Sequence, residues 1–440
     1  MFTLVKIVFA LLSAFLVYRA ISRQCNKYLA FVVVALWLRF TLSAFHNVTY
    51  DPLFAGFSIN ALASIGIAFA GLLLLPRKVI ALRSLLWLYI FLACIVVSGI
   101  VNMRTMGLIN VMVKWTVFLV IAGALFMAIR KTGKDLALRK VLVAFFLPVS
   151  LQIMSVLLGE VKATEADGSA SYIGGYNHEA AFSMIIASFT LVVGLLSSKA
   201  IRYRAALFAL GCVLVVLANY RTSILAILPM TAMFAFSLIE AKVANKHKPV
   251  FYVLSLFGIG LAFLALSYTM QDRFGDIFVF LSSWQDLIKA PEYYSEAEKD
   301  IFSARVYIWS LYIHAYLLAD PINQIFGMGP EAWNGVFKKY AHNTYVSYLY
   351  EYGVVGLLAF LTAVGSFLIQ AFKTKDRKFA WLLFSSMIGF LIMNLATMPL
   401  WNIEGLLLYA LLIGVTISPV NGVRKTALKT SGVSTNLARN

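Results

Sequence analysis

A long hydrophilic stretch ends at His342, and an apolar run begins directly after it through Asn343, Glu351, Gly353 and Gly356. An imidazole of near-neutral pKa is the usual group for removing a proton from an attacking hydroxyl. This one falls at a water–lipid boundary, where a lipid-linked reactant can meet a water-soluble one. Arg39, Lys114 and Arg221 lie inside or at the edge of apolar runs, where ionised groups are costly and are functional candidates by default. Clustered cations suit a diphosphate, because guanidinium groups grip phosphate oxygens as a fork. Plainer uses stand beside these. His342 can be an ordinary residue at a helix start with Asn343 as the cap. Arg39 and Lys114 can snorkel toward headgroups. Arg221 is too hemmed in between two helix ends for that and is read as functional.

The elements that carry these residues follow from composition. The 440 residues are 61% hydrophobic and 13% charged, against the roughly 25% charged residues of soluble domains. Apolar runs of about 18–22 residues recur, long enough to cross a bilayer as helices. Strand-like alternation is sparse, which excludes an outer-membrane barrel. Candidate spans are 3–21, 28–45, 58–75, 84–101, 108–129, 141–158, 179–198, 205–219, 222–239, 250–269, 344–372, 380–398 and 405–418. The expected fold is an all-α polytopic membrane protein of about 12–13 transmembrane helices, with one long outer loop containing short helices. It divides into N-terminal helices (1–158), central helices with Arg221 (159–270), the large outer loop (271–343), C-terminal helices (344–418) and a basic tail (419–440).

The net charge of +18 does not point to nucleic acid. Its lysines and arginines crowd alternate connectors, which is the positive-inside pattern, rather than one soluble face interleaved with aromatics. Acids show the opposite bias: only Asp135, Glu240 and Asp376 fall on the basic side. The run 205–239 is flanked at both ends by basic connectors, so it must cross twice. That predicts a turn near Asn219 and Tyr220 and puts Arg221 on the same outer face as His342. A helix is expected over 301–319, stopped by Asp320-Pro321, since proline disfavours helix in the residue before it.

Other chemistry is poorly supported. Cys25, Cys94 and Cys212 form no disulfide or zinc spacing. His46, His178, His314 and His342 show no ligand spacing, so no metal is expected. No phosphate-binding glycine loop or dinucleotide fingerprint occurs. The start, 1–21, lacks a small-residue cleavage site and reads as a retained helix.

The C-terminal pattern resembles the O-antigen ligase / Wzy-type polymerase superfamily of bacterial envelope enzymes, which are GT-C-like membrane proteins. The resemblance rests on Ser303-Ala-Arg305 with Trp309, then Asp320-Pro321 with Gly327-Met-Gly329, then His342-Asn343 with Glu351, Gly353 and Gly356. Two ligase-type motifs lie within it: Arg221 with Leu225, and His342 with Gly353. The resemblance implies glycan transfer from undecaprenyl diphosphate to an acceptor hydroxyl at the periplasmic face of the inner membrane. The acceptor is lipid A-core for a ligase and a growing glycan for a polymerase of O-antigen, capsule or exopolysaccharide. No arginine among Arg221, Arg273 and Arg305 has the glycine spacing of the polymerase branch, which favours the ligase side; an odd helix count weighs against it. His342 is then the expected base, with Arg221 and Arg305 on the diphosphate. Lys114, Arg39, Asn343, Glu351 and His178 are expected to bind substrate, and neither metal nor cofactor is needed. A protein oligosaccharyltransferase is a variant of this chemistry. A transporter or flippase is disfavoured, because the candidate charges gather at one face rather than along a path.

Overall fold

A computed structural model describes residues 2–22, 25–54, 56–163, 170–269, 285, 288–301 and 304–418. Ser303, Arg273, most of 270–287 and the basic tail from 419 lie outside the described residues. Nine of the described helices are long and apolar enough to cross a membrane, and four shorter apolar helices accompany them. In chain order they are α1 Phe2–Ser22, α2 Lys27–Ala44, α3 Ile59–Leu74, α4 Leu86–Val101, α5 Thr105–Thr132, α6 Lys134–Leu157 and α7 Glu179–Leu195. Then come α8 Arg204–Leu217, α9 Arg221–Lys242, α10 Lys248–Thr269, α11 Thr344–Phe372, α12 Arg377–Ala396 and α13 Ile403–Thr416. The chain is an all-α polytopic membrane protein.

The anticipated break in 205–239 is present. Asn219 adopts a left-handed conformation (φ 54°) between α8 and α9, and Arg221 is the first residue of α9. Burial sorts the helices into a centre and a rim. α7 and α13 are buried along nearly their whole length and pack on each other, and α5 packs against α13, α2 and α3. α10 has an almost wholly exposed surface and packs chiefly on α9. Its Val253, Leu254, Phe257 and Leu264 present the apolar face expected of a lipid-facing helix.

Within the long polar segment between α10 and α11, short helices span Glu296–Asp300, Arg305–Leu317 and Pro321–Phe326. The helix expected over 301–319 therefore starts later than its apolar pattern suggested. Ala304, left-handed at φ 63°, turns the chain directly before Arg305 and blocks earlier helix. Asp320 caps the next helix with Pro321 at its first position, so the proline both ends one helix and starts another.

Candidate functional site

The helix after His342 is interrupted, which its sequence did not suggest. Gly353 sits inside α11 with φ 66° and ψ −174°. A Cβ there would collide with the Ile325 carbonyl, and one at Gly327 (φ 78°) would collide with the Glu351 backbone. The two glycines thus allow loop and helix backbones to touch. The break frees carbonyls that the loop then uses: the Met328 N–H donates to Tyr350 O and the Gly329 N–H to Glu351 O, both at 2.9 Å. Ser98 of α4 donates to that same Glu351 carbonyl at 2.8 Å. The ten-residue spacing between His342 and Gly353 is therefore the length of helix between the histidine and the loop's anchor.

His342 is held from the other side by the loop helix Arg305–Leu317. Trp309 Nε1 donates to Ala341 O at 2.9 Å, and the Tyr312 hydroxyl donates to Lys339 O at 3.1 Å. Asn343 caps α11, its Oδ1 accepting from the Tyr345 and Val346 N–H groups. Between these anchors His342 is itself left-handed (φ 52°), a strained geometry that persists only when neighbours over-determine it. Its ring lies 4.0 Å from that of Tyr340, and its Nδ1 is buried without a hydrogen-bond partner among the described residues. Burial, then the positive charges of Arg305 and Lys339 and the nearby His178, push its pKa down to about 3. The imidazole is neutral at any ordinary pH and able to accept a proton.

Two cavities share Tyr50, Trp401, Asn402 and Glu404 as a common wall; His342 lines neither, and the smaller reaches it through Tyr340. The larger, about 660 Å³, is lined by Arg39, Asn110 and Lys114 together with the apolar Ile65, Met106 and Ile109. The smaller, about 410 Å³, is lined by His178, Asn177, Tyr176 and Tyr340. Tyr340 stacks on Trp401 at 5.1 Å, so one aromatic surface runs from His342 to the boundary between cavities.

The residues named from sequence occupy different parts of this arrangement. Arg39 is buried, and its Nη1 donates to Asn60 O, Asn60 Oδ1 and Ser64 Oγ at 2.7–3.2 Å, so it does not snorkel. Lys114 likewise turns inward, 3.3 Å from Glu331 and 5.1 Å above the Trp401 ring. His178 accepts the Ala180 N–H at 3.1 Å and caps α7. Arg221 is half-buried at the start of α9, two residues before Ser223, whose hydroxyl meets Ser183 of α7 at 2.7 Å. The starts of α7 and α9 therefore lie side by side, bringing Arg221 and His178 to one end of the bundle. Glu351 is apart from both cavities. It is buried, accepts from Ser347 Oγ at 3.1 Å and from the Glu331 N–H at 3.2 Å, and serves to seat the loop.

Sequence reasoning passed over Glu331, Tyr340, Trp401 and Glu404. Glu404 had a usable signal, a carboxylate at the head of an apolar run; it is buried and accepts from Ser43 Oγ at 2.8 Å. Glu331 had none, since its left-handed turn (φ 56°) and its reach to Lys114 depend on the fold.

Residues 206–361 match the family model described as O-antigen ligase. The matched stretch contains Arg221, Arg305 and His342, and over it the resemblance to the O-antigen ligase and Wzy-type superfamily holds. No curated protein matches the chain.

Proposed function

We propose that the chain transfers a glycan from undecaprenyl diphosphate to an acceptor hydroxyl at the periplasmic face of the bacterial inner membrane, as an O-antigen ligase with lipid A-core as acceptor. The observation that carries this is His342: neutral, strained at a helix start, its Nδ1 buried without a hydrogen-bond partner among the described residues, under the charge of Arg305 and joined through Tyr340 to the smaller cavity. The larger cavity suits the donor, since it combines Arg39 and Lys114 with apolar side chains of α3 and α5 along which a polyprenyl chain can lie. The smaller suits the acceptor sugar, since aromatic faces beside carboxylate and amide groups match the alternating apolar and hydroxyl surfaces of a saccharide.

In the reaction the acceptor oxygen forms a bond to the anomeric carbon as that carbon's bond to the diphosphate oxygen breaks. His342 takes the hydroxyl proton, and Arg221 and Arg305 stabilise the charge that builds on the departing diphosphate. Fixed cations aimed at developing charge commonly give the largest single catalytic contribution. Donor binding also tunes the base: a diphosphate brings negative charge near His342, opposes Arg305, and raises the imidazole pKa toward the working range. One displacement inverts the anomeric centre, and neither metal nor nucleotide takes part.

The test is a reconstituted transfer assay with a lipid-linked glycan donor and lipid A-core. Near-normal turnover by folded His342→Ala removes that residue from the mechanism. A second reading, polymerisation of repeat units, is favoured by the thirteen apolar helices among the described residues, an odd number. Surface polysaccharide from a deletion strain separates the two. Bare core with accumulated lipid-linked long chains indicates ligation, and single repeats retained on core indicate polymerisation.

A further inference from the structure

At the end of the bundle opposite His342, α9, α10 and α12 enclose a third cavity of about 460 Å³, lined by Phe236, Glu240, Tyr252, Arg377, Lys378 and Trp381 among others. Its walls are mainly apolar and its cations sit at the mouth. Glu240 is already committed: Lys248 and Lys378 each approach it at 3.1 Å, and the Tyr252 hydroxyl donates to it. Asp376 accepts the Lys378 and Phe379 N–H groups as the cap of α12. Arg377 is exposed, lies 5.5 Å over the Phe372 ring, and has no carboxylate within ion-pair distance among the described residues. Lys248, Arg377 and Lys378 against Glu240 leave the site positive.

We propose that this cavity binds the headgroup of an anionic glycerophospholipid from the adjacent leaflet. The phosphodiester sits at Arg377 and the exposed side of Lys378, and the acyl chains run along the uncovered apolar surfaces of α10 and α12. An amphiphile fits better than a soluble anion, because the apolar lining leads directly to helix faces that only lipid can cover. Basic pockets between transmembrane helices on the positive side are suited to anionic headgroups, and Trp381, 43% exposed, has the amphipathic ring that favours this depth. The occupied site would tie α10, which packs chiefly on α9, to α12 through Tyr252 and Arg377. This inference is independent of the reaction proposed above.

The experiment places the full chain in phosphatidylcholine nanodiscs, titrates in phosphatidylglycerol, and reads bound lipid by native mass spectrometry with melting temperature alongside. Phosphatidylglycerol is expected to bind and to raise the melting temperature. Arg377→Gln should weaken binding roughly fivefold, from the loss of one surface cation. Met233→Trp, which fills the cavity without changing charge, should weaken it at least as much. Lys199→Gln with Arg202→Gln, on another basic connector, should leave it unchanged. Equal binding by Arg377→Gln and the parent chain overturns the proposal. So does equal loss in the connector control, which signals surface charge alone, or equal stabilisation by inorganic phosphate, which signals an anion site without lipid.

Discussion

At the His342 end of the bundle the connectors hold all five non-glycine residues with positive φ among the described residues: Met103, Asn219, Ala304, Glu331 and His342. At the opposite end the described connectors, such as 199–203 and 373–376, carry lysines and arginines on ordinary backbone. Each left-handed non-glycine residue costs on the order of 1–3 kcal/mol and persists only where packing over-determines it. The comparison separates two uses of charge. The basic end uses exposed charge for orientation, where position along the connector matters little. The other end holds charges in fixed directions, with Arg39 on Asn60 and Ser64 and Lys114 on Glu331. Strain is tolerated where geometry has a task.

The largest effects that would break this contrast lie at the proposed chemistry. His342→Ala and Arg221→Ala should each lower transfer by about 10²–10⁴-fold with the melting temperature preserved. Arg221→Lys should recover only part of the loss, because it keeps charge without the fork. Gln at Lys199 or Arg202 on the basic end should leave the rate unchanged, and comparable losses at both ends would erase the distinction. Next comes a pair within one helix. Gly353→Ala should destabilise by about 3 kcal/mol or more, because positive φ and a backbone collision coincide. Gly365→Ala, where an added Cβ meets open space, should be neutral or stabilising by about 0.5–1 kcal/mol. Denaturant melts of the two variants are the check.

The pH dependence is a smaller and sharper test. The folded-state pKa of His342 is lowered from 6.5 to about 3, so the unfolded chain binds the proton more tightly. Its contribution to stability is complete above pH 6.5 and is lost as pH falls toward 3. The kcat/KM profile of the free enzyme should accordingly show no fall near pH 6.5 that His342→Gln abolishes. The smallest effect is the Lys114–Glu331 pair, whose side chains are each about one-fifth exposed. A double-mutant cycle with Lys114→Met and Glu331→Gln should give a coupling of about 1 kcal/mol or less, while donor KM rises through loss of the cation.

The paired crossing at 205–239 was legible because connector charge is counted without a structure, and both flanks were basic. The broken helix at Gly353 was hidden, since glycine is common in membrane helices and the reason for this one is the Ile325 carbonyl, 28 residues earlier. Arg39 and Lys114 were visible as candidates, yet their partners were not: Asn60 and Ser64 are small neutral residues within an apolar span, and Glu331 looks like an ordinary loop acid. Tyr340 and Trp401 resemble interfacial belt aromatics, and only their stacking marks them as a wall. Candidates were legible where a residue is costly in lipid, and illegible where an ordinary residue becomes special through its neighbour.

The carbonyl of Glu351 has a consequence for the order of assembly. It receives hydrogen bonds from Ser98 and Gly329, so three segments separated by up to 253 residues close on one atom. Such long-range closure is made late, after the entropy of the intervening chain has been lost. The full set of bonds on this carbonyl is therefore complete only when α4, α11 and the loop are together. Slow exchange of the Gly329 amide then becomes a clock for the finished bundle, readable without substrate or assay.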